Sequence, residues 1–213
     1  SSITITGNDS FSLDTGISFG GSDSSISVSS NKMVNIASIT ASHYDCSITF
    51  TKNTTVNFIR DTSSSISRSA IYGSDDSTIT LSDNGSVTFS KNGVHISRSG
   101  GYFTSAYAYG GAIRGDAGSA ISLNNNERLL FNENSASSYA SSYSTNTTSY
   151  NSYAYSYGGA IYGNSITLNN NDSVTFSGNK NTSSAASYYY SSSSYYASSG
   201  SSYSRPYSYG GAI

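Results

Sequence analysis

Tryptophan is absent, proline occurs once, at Pro206, and cysteine once, at Cys46. A single thiol makes neither an intramolecular disulfide nor a cysteine cluster for zinc, so Cys46 reads as a small buried hydrophobe. Charge is also scarce: 10% of the residues carry it and the formal net charge is −2. Such a chain has no electrostatic footprint for DNA or RNA. It also lacks the Lys/Arg clusters that hold a protein on anionic lipid. No apolar run approaches the roughly 20 residues of a membrane-spanning helix. Neither an initiating methionine nor a signal peptide is evident. The chain opens inside a strand-like run, Ser1-Ser2-Ile3-Thr4-Ile5, and stops inside a repeated motif, Gly210-Gly211-Ala212-Ile213. That reads as a slice of a longer protein.

What the chain has in quantity is serine, threonine, asparagine, glycine and tyrosine, with 20 tyrosines against 8 phenylalanines. So polar a composition fits either disorder or an architecture that needs little core per residue. The repeats decide between them. One motif is an aromatic followed three residues later by asparagine: Phe50/Asn53, Phe89/Asn92, Phe131/Asn134 and Phe176/Asn179. The other is Gly-Gly-Ala-Ile, starting at Gly110-Gly111, Gly158-Gly159 and Gly210-Gly211, with a degenerate copy at Ser69-Ala70-Ile71. The two alternate strictly, and the segments between them align as short runs in which Ile, Leu, Val or Phe alternates with Ser or Thr. Alternation with period two is the mark of a half-buried strand, and no helical period of useful length is present.

Short strands separated by Gly/Asn/Asp/Ser turns suit a coil whose strands pair with the same strand of the next coil. The expected fold is therefore all-β, a right-handed parallel β-helix spanning residues 1–213 as one segment. Residues 1–49 would be degenerate coils and 50–213 the repeats. On this reading the aromatics stack inward, and the asparagines take left-handed or bridge conformations at corners while bonding along the axis. The glycine pairs supply permissive backbone before a strand.

The distance from each motif asparagine to the next glycine pair grows, from Asn92–Gly110 to Asn134–Gly158 to Asn179–Gly210. Stacked coils keep a nearly constant length, so the extra residues belong to excursions on one side. Extra strands on the solenoid flank, or packing against a neighbouring chain, are the ordered forms expected. Their alphabet is Tyr, Ser, Ala, Thr and Gly, in which tyrosine brings stiff contact area with a polar tip. Tyr153, Tyr155, Tyr157, Tyr188, Tyr189, Tyr190, Tyr195, Tyr196, Tyr203, Tyr207 and Tyr209 are the candidate contact residues. A solvated low-complexity spacer is the competing account.

The paired motifs, Phe-x-x-Asn and Gly-Gly-Ala-Ile, resemble the repeats of the polymorphic outer membrane protein family, whose members are autotransporter-type passengers. The resemblance covers about residues 50–213. It implies a β-helix displayed outside the cell with adhesive or structural duty, in which the two motifs take part in adhesion and self-association. The Tyr/Ser excursions, the lack of paired cysteines and the lack of a translocator barrel depart from that pattern.

No convergent chemistry is legible. Glu127, Glu133, Asp75, Asp76 and Asp83 fall at turns, and His43 and His95 have no ligand-spaced partner. No catalytic, cofactor or metal residue is expected. The sequons at Asn8, Asn53, Asn84, Asn146, Asn171 and Asn181 match chance in a chain this rich in Ser and Thr. The functional expectation is an extracellular or cell-surface structural and adhesive protein. It would associate with itself, a neighbouring or host protein, or a glycan, with no nucleic-acid partner and no membrane insertion. The alternative is a non-catalytic section of a polysaccharide-binding or polysaccharide-degrading β-helix.

Overall fold

The computed structural model describes residues 1–59, 69–101, 103–144, 150–189 and 202–209, with 143–144, 150, 187–189 and 202–209 described as backbone. Successive turns of chain lay strands one on another. The first turn gives β1 (Ser2–Thr6), β2 (Ser10–Leu13) and β3 (Ile17–Phe19), and the second β4 (Ser25–Ser29), β5 (Met33–Ile36) and β6 (Ile39–Ala41). The third gives β7 (Ser47–Thr51), β8 (Thr55–Ile59) and β9 (Ile71–Gly73). From the fourth turn each coil has two strands more: β10 (Thr78–Ser82), β11 (Ser86–Ser90), β12 (Gly93–Gly100), β13 (Phe103–Tyr109) and β14 (Ile113–Gly115). The fifth repeats this as β15 (Ala120–Asn124), β16 (Arg128–Asn132), β17 (Ser135–Ser144), β18 (Tyr150–Tyr157) and β19 (Ile161–Tyr162). The sixth contributes β20 (Ser165–Thr167), β21 (Ser173–Ser177), β22 (Lys180–Tyr189) and β23 (Ser202–Tyr209).

Every strand pairs in parallel with its counterpart one turn away. Three sheets run the length of the stack: β1-β4-β7-β10-β15-β20, β2-β5-β8-β11-β16-β21 and β3-β6-β9-β14-β19. The described residues contain no helix. The protein is an all-β parallel β-solenoid, and the strands of residues 1–49 lie in the same three sheets as the repeats.

Its core is made of columns of like residues. Ile3, Ile26, Ile48, Ile79, Ile121 and Ile166 occupy one register position of the first sheet. Ile17, Ile39, Ile71, Ile113 and Ile161 occupy one of the third. In the second sheet Phe58, Phe89, Phe131 and Phe176 form a continuous stack with centroids 4.7, 4.9 and 4.8 Å apart. The strand spacing of a sheet is itself about 4.8 Å, so in-register pairing places the rings at stacking distance without adjustment.

Phe50 does not belong to that stack. It registers with Val28 and Leu81 in the first sheet and meets Phe58 edge-on at 5.3 Å. The aromatic-asparagine motif beginning at Phe50 is thus a different corner from those beginning at Phe89, Phe131 and Phe176. The coils differ in length, so the distance between motifs does not reveal this.

Two asparagine ladders line these corners. Asn8, Asn31, Asn53, Asn84, Asn126 and Asn171 form the first, each Nδ2 donating to the next Oδ1 at 2.9–3.0 Å. Asn92, Asn134 and Asn179 form the second, at 3.0 and 2.9 Å. In both, every Oδ1 after the first also accepts the backbone N–H of the asparagine one coil back, while Asn92 Oδ1, at the start of the second ladder, is buried without a partner among the described residues. From Asn31 onward in the first ladder, and throughout the second, Nδ2 donates in addition to a strand carbonyl. Asn84, for example, gives its second amide hydrogen to Phe50 O at 3.0 Å. The tight corners therefore leave few buried polar groups stranded.

The left-handed residue at each corner is the one before the asparagine. Ser30, Lys52, Asp83, Lys91, Asn125, Glu133 and Asn170 have φ between 52° and 57°, and Gly7 and Gly178 have 71° and 62°. The ladder asparagines themselves are not left-handed, which corrects that half of the expectation of a left-handed or bridge conformation; their amides point along the axis and the residue before each takes the turn. Lys, Asp and Glu accept the modest strain at the neighbouring position. Ladder membership also ties up two of the sequons, since Asn53 and Asn84 are buried with both amide hydrogens bonded.

The third corner carries a small buried residue: Ser24, Cys46, Ser77 and Ser119 each precede a first-sheet strand. Cys46 fills a serine position there, its Sγ 3.6 Å from Gly21 O.

Candidate functional site

The Tyr/Ser excursions form a second stack beside the solenoid. β12, β17 and β22 make one parallel sheet, and β13, β18 and β23 another. Alternate residues of each point between the two sheets. Those of the first include Val94, Ile96, Ala136, Ser138, Ala140 and Ser142; those of the second include Thr104, Ala106, Ala108, Ser152, Ala154 and Ser156. Small side chains let the sheets come close. Ser138 and Ser142 Oγ meet Ser156 and Ser152 Oγ across the gap at 2.9 and 2.8 Å. Ser152 and Ser156 donate onward to the carbonyls of Ala186 and Thr182. The hydroxyl pairs satisfy groups that so dry a seam would otherwise strand.

The glycine pairs make the joint between arm and solenoid. Gly110 and Gly158 have φ of 51° and 54°, and a Cβ at either would strike the carbonyl oxygen of Ile113 or Ile161. A Cβ at Gly111 would meet the backbone of Gly159 and Ser135, the latter's nitrogen at 2.6 Å. Gly158 repeats the Gly110 approach one coil on, while Gly210 and Gly211 lie outside the described residues. The following Ala112 and Ala160 are fully buried where the chain re-enters the core. The degenerate copy at Ser69-Ala70-Ile71 reaches the same joint, with Ser69 Oγ donating to the carbonyls of Tyr109 and Gly110.

Alternation that buries Ala and Ser turns tyrosine outward. In the β13-β18-β23 sheet, Tyr107, Tyr155 and Tyr207 share one register column and Tyr109, Tyr157 and Tyr209 the next; Tyr153 pairs with Ser105 and Arg205. Tyr107 stacks on Tyr155 with centroids 4.8 Å apart and planes 4° from parallel. Tyr109 stacks on Tyr157 at 5.1 Å and 9°. Along each strand, alternate rings follow at wider spacing: Tyr107–Tyr109, Tyr153–Tyr155 and Tyr155–Tyr157 are 6.3, 6.3 and 6.4 Å apart. Phe103 extends the patch, 64% exposed and 5.5 Å from Tyr153. The result is a two-dimensional aromatic array on one sheet face. Stacking hides ring faces against their neighbours and turns ring edges toward whatever meets the array.

The array continues onto the outer face of the third sheet. Arg114 lies with its guanidinium 4.6 Å from the Tyr109 ring and 5.1 Å from the Tyr72 ring. Its Nε donates to Asp116 Oδ1 at 2.6 Å, and Tyr72 donates its hydroxyl to Asp116 Oδ2 at 2.8 Å. Tyr162 closes the cluster 4.7 Å from Tyr109 and 5.9 Å from Tyr157. Burial pushes the phenols of Tyr72 and Tyr109 up to about 12, helped at Tyr72 by the hydrogen bond to Asp116. Both therefore stand as neutral donors at any physiological pH.

Of the contact residues expected from sequence, Tyr153, Tyr155 and Tyr157 lie on this face. Tyr203, Tyr207 and Tyr209 lie in β23, and Tyr188 and Tyr189 in β22 of the opposite sheet, registered through Tyr143 and Ser144. Tyr190, Tyr195 and Tyr196 lie outside the described residues. Tyr72, Tyr107, Tyr109, Arg114, Asp116 and Tyr162 were not singled out from sequence. The Tyr-x-Tyr alternation at Tyr107/Tyr109 was the available signal, whereas the short third-sheet strands gave none.

The isolated polar candidates stay apart. His95 Nδ1 contacts Ser137 Oγ at 2.8 Å on an exposed face, and Asp76, Asp83 and Glu133 sit at left-handed corners. Among the described residues no three of His, Cys, Asp and Glu come together as metal ligands would. Comparison with protein-family profiles, curated proteins and solved structures finds no match to this chain.

Proposed function

We propose that this chain is part of an extracellular or cell-surface β-solenoid with a structural and adhesive role, and that the tyrosine face of its arm is the surface by which copies associate. The observation that carries the reading is the in-register column pair Tyr107–Tyr155 and Tyr109–Tyr157 on the outer face of the β13-β18-β23 sheet. Stacking along the sheet lends these coils some stability, but it does not need the exposed edges and polar tips that tyrosine brings. Phenol hydroxyls both donate and accept, so two such faces are complementary without any matching of charge. Aromatic side chains of this kind dominate contact energetics because they bring area with few rotatable bonds. The repeat pair supports surface display and adhesion through its resemblance to the polymorphic outer membrane protein passengers. The reading assigns the chain no catalytic step.

The test is sedimentation of the wild type beside a variant carrying Tyr107→Ser, Tyr155→Ser and Tyr157→Ser. Concentration-dependent association of the wild type, lost in the variant with its β-sheet circular dichroism intact, is the expected result. Association that survives the triple substitution removes the tyrosine face from the reading. Loss of cell or glycan binding in a chain that never self-associates would assign the face to a different partner.

A further inference from the structure

We propose that Tyr107 and Tyr155 form a site of oxidative cross-linking, at which a peroxide-driven one-electron oxidant joins successive coils of the arm through a dityrosine bond. The inference concerns covalent chemistry within one chain and does not depend on the face being a contact between chains.

Coupling needs two phenols that are close, held together, and reachable by an oxidant. Tyr107 and Tyr155 have centroids 4.8 Å apart and nearly parallel planes. Their backbones are fixed at adjacent positions of a parallel sheet. Holding two reactants at such a distance replaces a bimolecular encounter by an intramolecular one. Tyr107 is 45% exposed, so an oxidant reaches its edge. The neighbouring column is less favourable: Tyr109 is more enclosed, beneath Arg114 and beside Tyr162, and its phenol gives up its proton only near pH 12. Loss of an electron from a phenol is coupled to loss of that proton, so the outer column reacts first.

The step balances as follows. Each phenol surrenders one electron and its hydroxyl proton, giving a phenoxyl radical whose spin reaches the ring carbon beside the oxygen. Two such carbons form one C–C bond. Each then releases its hydrogen as a proton, and each oxygen takes one up, restoring both phenols. The net loss of two electrons and two protons is taken by hydrogen peroxide, acting through a haem peroxidase, which is reduced to two waters.

Tyr44 supplies the contrast. It is 57% exposed, more than Tyr107, but the ring beside it is His43, 6.1 Å away. If exposure alone governed reaction, Tyr44 would be consumed first and would link one molecule to another. Dilute wild-type chain would be treated with peroxidase and hydrogen peroxide, digested with trypsin, and analysed by mass spectrometry. The expected product keeps the mass of a single chain and joins the tryptic peptide 99–114 to 129–180 through Tyr107 and Tyr155. Tyr107→Phe, which keeps the stacked ring but lacks the phenol, loses that linkage while Tyr109 and Tyr157 remain in the same two peptides. No dityrosine, a linkage confined to pairs of molecules, or a Tyr107–Tyr155 peptide no more abundant than any involving Tyr44 would each overturn the proposal.

Discussion

Asn84 gives one amide hydrogen to Asn126 Oδ1, 42 residues along the chain, at 3.0 Å, and the other to Phe50 O, 34 residues back, also at 3.0 Å. Its own Oδ1 accepts both the backbone N–H and the side-chain N–H of Asn53. One side chain thereby ties three coils together, and every hydrogen-bonding group it owns is used. Replacing it with alanine strands two donors of Asn53 in a buried corner and takes the second donor from the Phe50 carbonyl. Each orphaned group costs about 1–3 kcal/mol. Asn84→Ala is expected to lower stability by roughly 3 kcal/mol or more in urea unfolding. Asn8→Ala, at the exposed end of the same ladder, is expected to change it by less than about 1 kcal/mol.

Glycine substitution separates two reasons for the same residue. Gly7 and Gly110 both have positive φ, 71° and 51°, but a Cβ at Gly7 meets nothing within 4 Å while one at Gly110 runs into the Ile113 carbonyl. Gly7→Ala is expected to cost only the left-handed penalty, about 1–2 kcal/mol. Gly110→Ala has to move the joint itself, so its melting temperature is expected to fall much further and hydrogen exchange to rise in β13 and β14.

The seam of the arm should be less tolerant of added volume than the solenoid core. Ala154 is fully buried between two sheets close enough for serine hydroxyls to meet across them. Ala154→Val is expected to cost about 1–3 kcal/mol through overpacking. Hydrogen exchange locates the effect: faster exchange in β12, β13, β17 and β18, with the strands of the first two sheets still protected.

Alkaline titration reports on the junction cluster. The phenols of Tyr72 and Tyr109 ionise near 12 in the folded protein against 10.0 unfolded. Between those values the unfolded chain has released protons that the folded chain still holds. Stability contributed by these groups is therefore whole below pH 10 and lost as the pH rises through about 12. The phenolate absorbance of Tyr72→Phe should show one late-titrating tyrosine fewer than that of the wild type.

Much of this architecture was legible because its signals are local. Strand alternation, the aromatic-asparagine corners at Phe89, Phe131 and Phe176, and the glycine pairs each depend on a few adjacent residues. What failed was register. Coil length runs 23, 22, 31, 42 and 45 residues along the first asparagine ladder. An alignment that assumes a slowly growing period therefore places Phe50 with Phe89, although Phe58 is the true equivalent. The first ladder was hidden for a related reason. Its motif is any inward apolar residue followed three positions later by asparagine: Ile5/Asn8, Val28/Asn31, Phe50/Asn53, Leu81/Asn84 and Leu123/Asn126. An aromatic is only one way to fill the first place, because the core needs volume there and the asparagine needs a carbonyl. The tyrosine face was visible as composition, and Tyr153, Tyr155 and Tyr157 were legible in it, but the rest of its described members were not. Arg114 and Tyr72 join it only because the arm's outer face runs into the third sheet.

Electron cryomicroscopy of the assembled native material tests the central claim most directly, because it shows which face lies between neighbouring copies. The account predicts that the sheet of β13, β18 and β23 is buried at the lateral contact, with Tyr107, Tyr155 and Tyr157 inside it. Assemblies in which that sheet faces solvent, and copies meet through the first or second sheet instead, would contradict it.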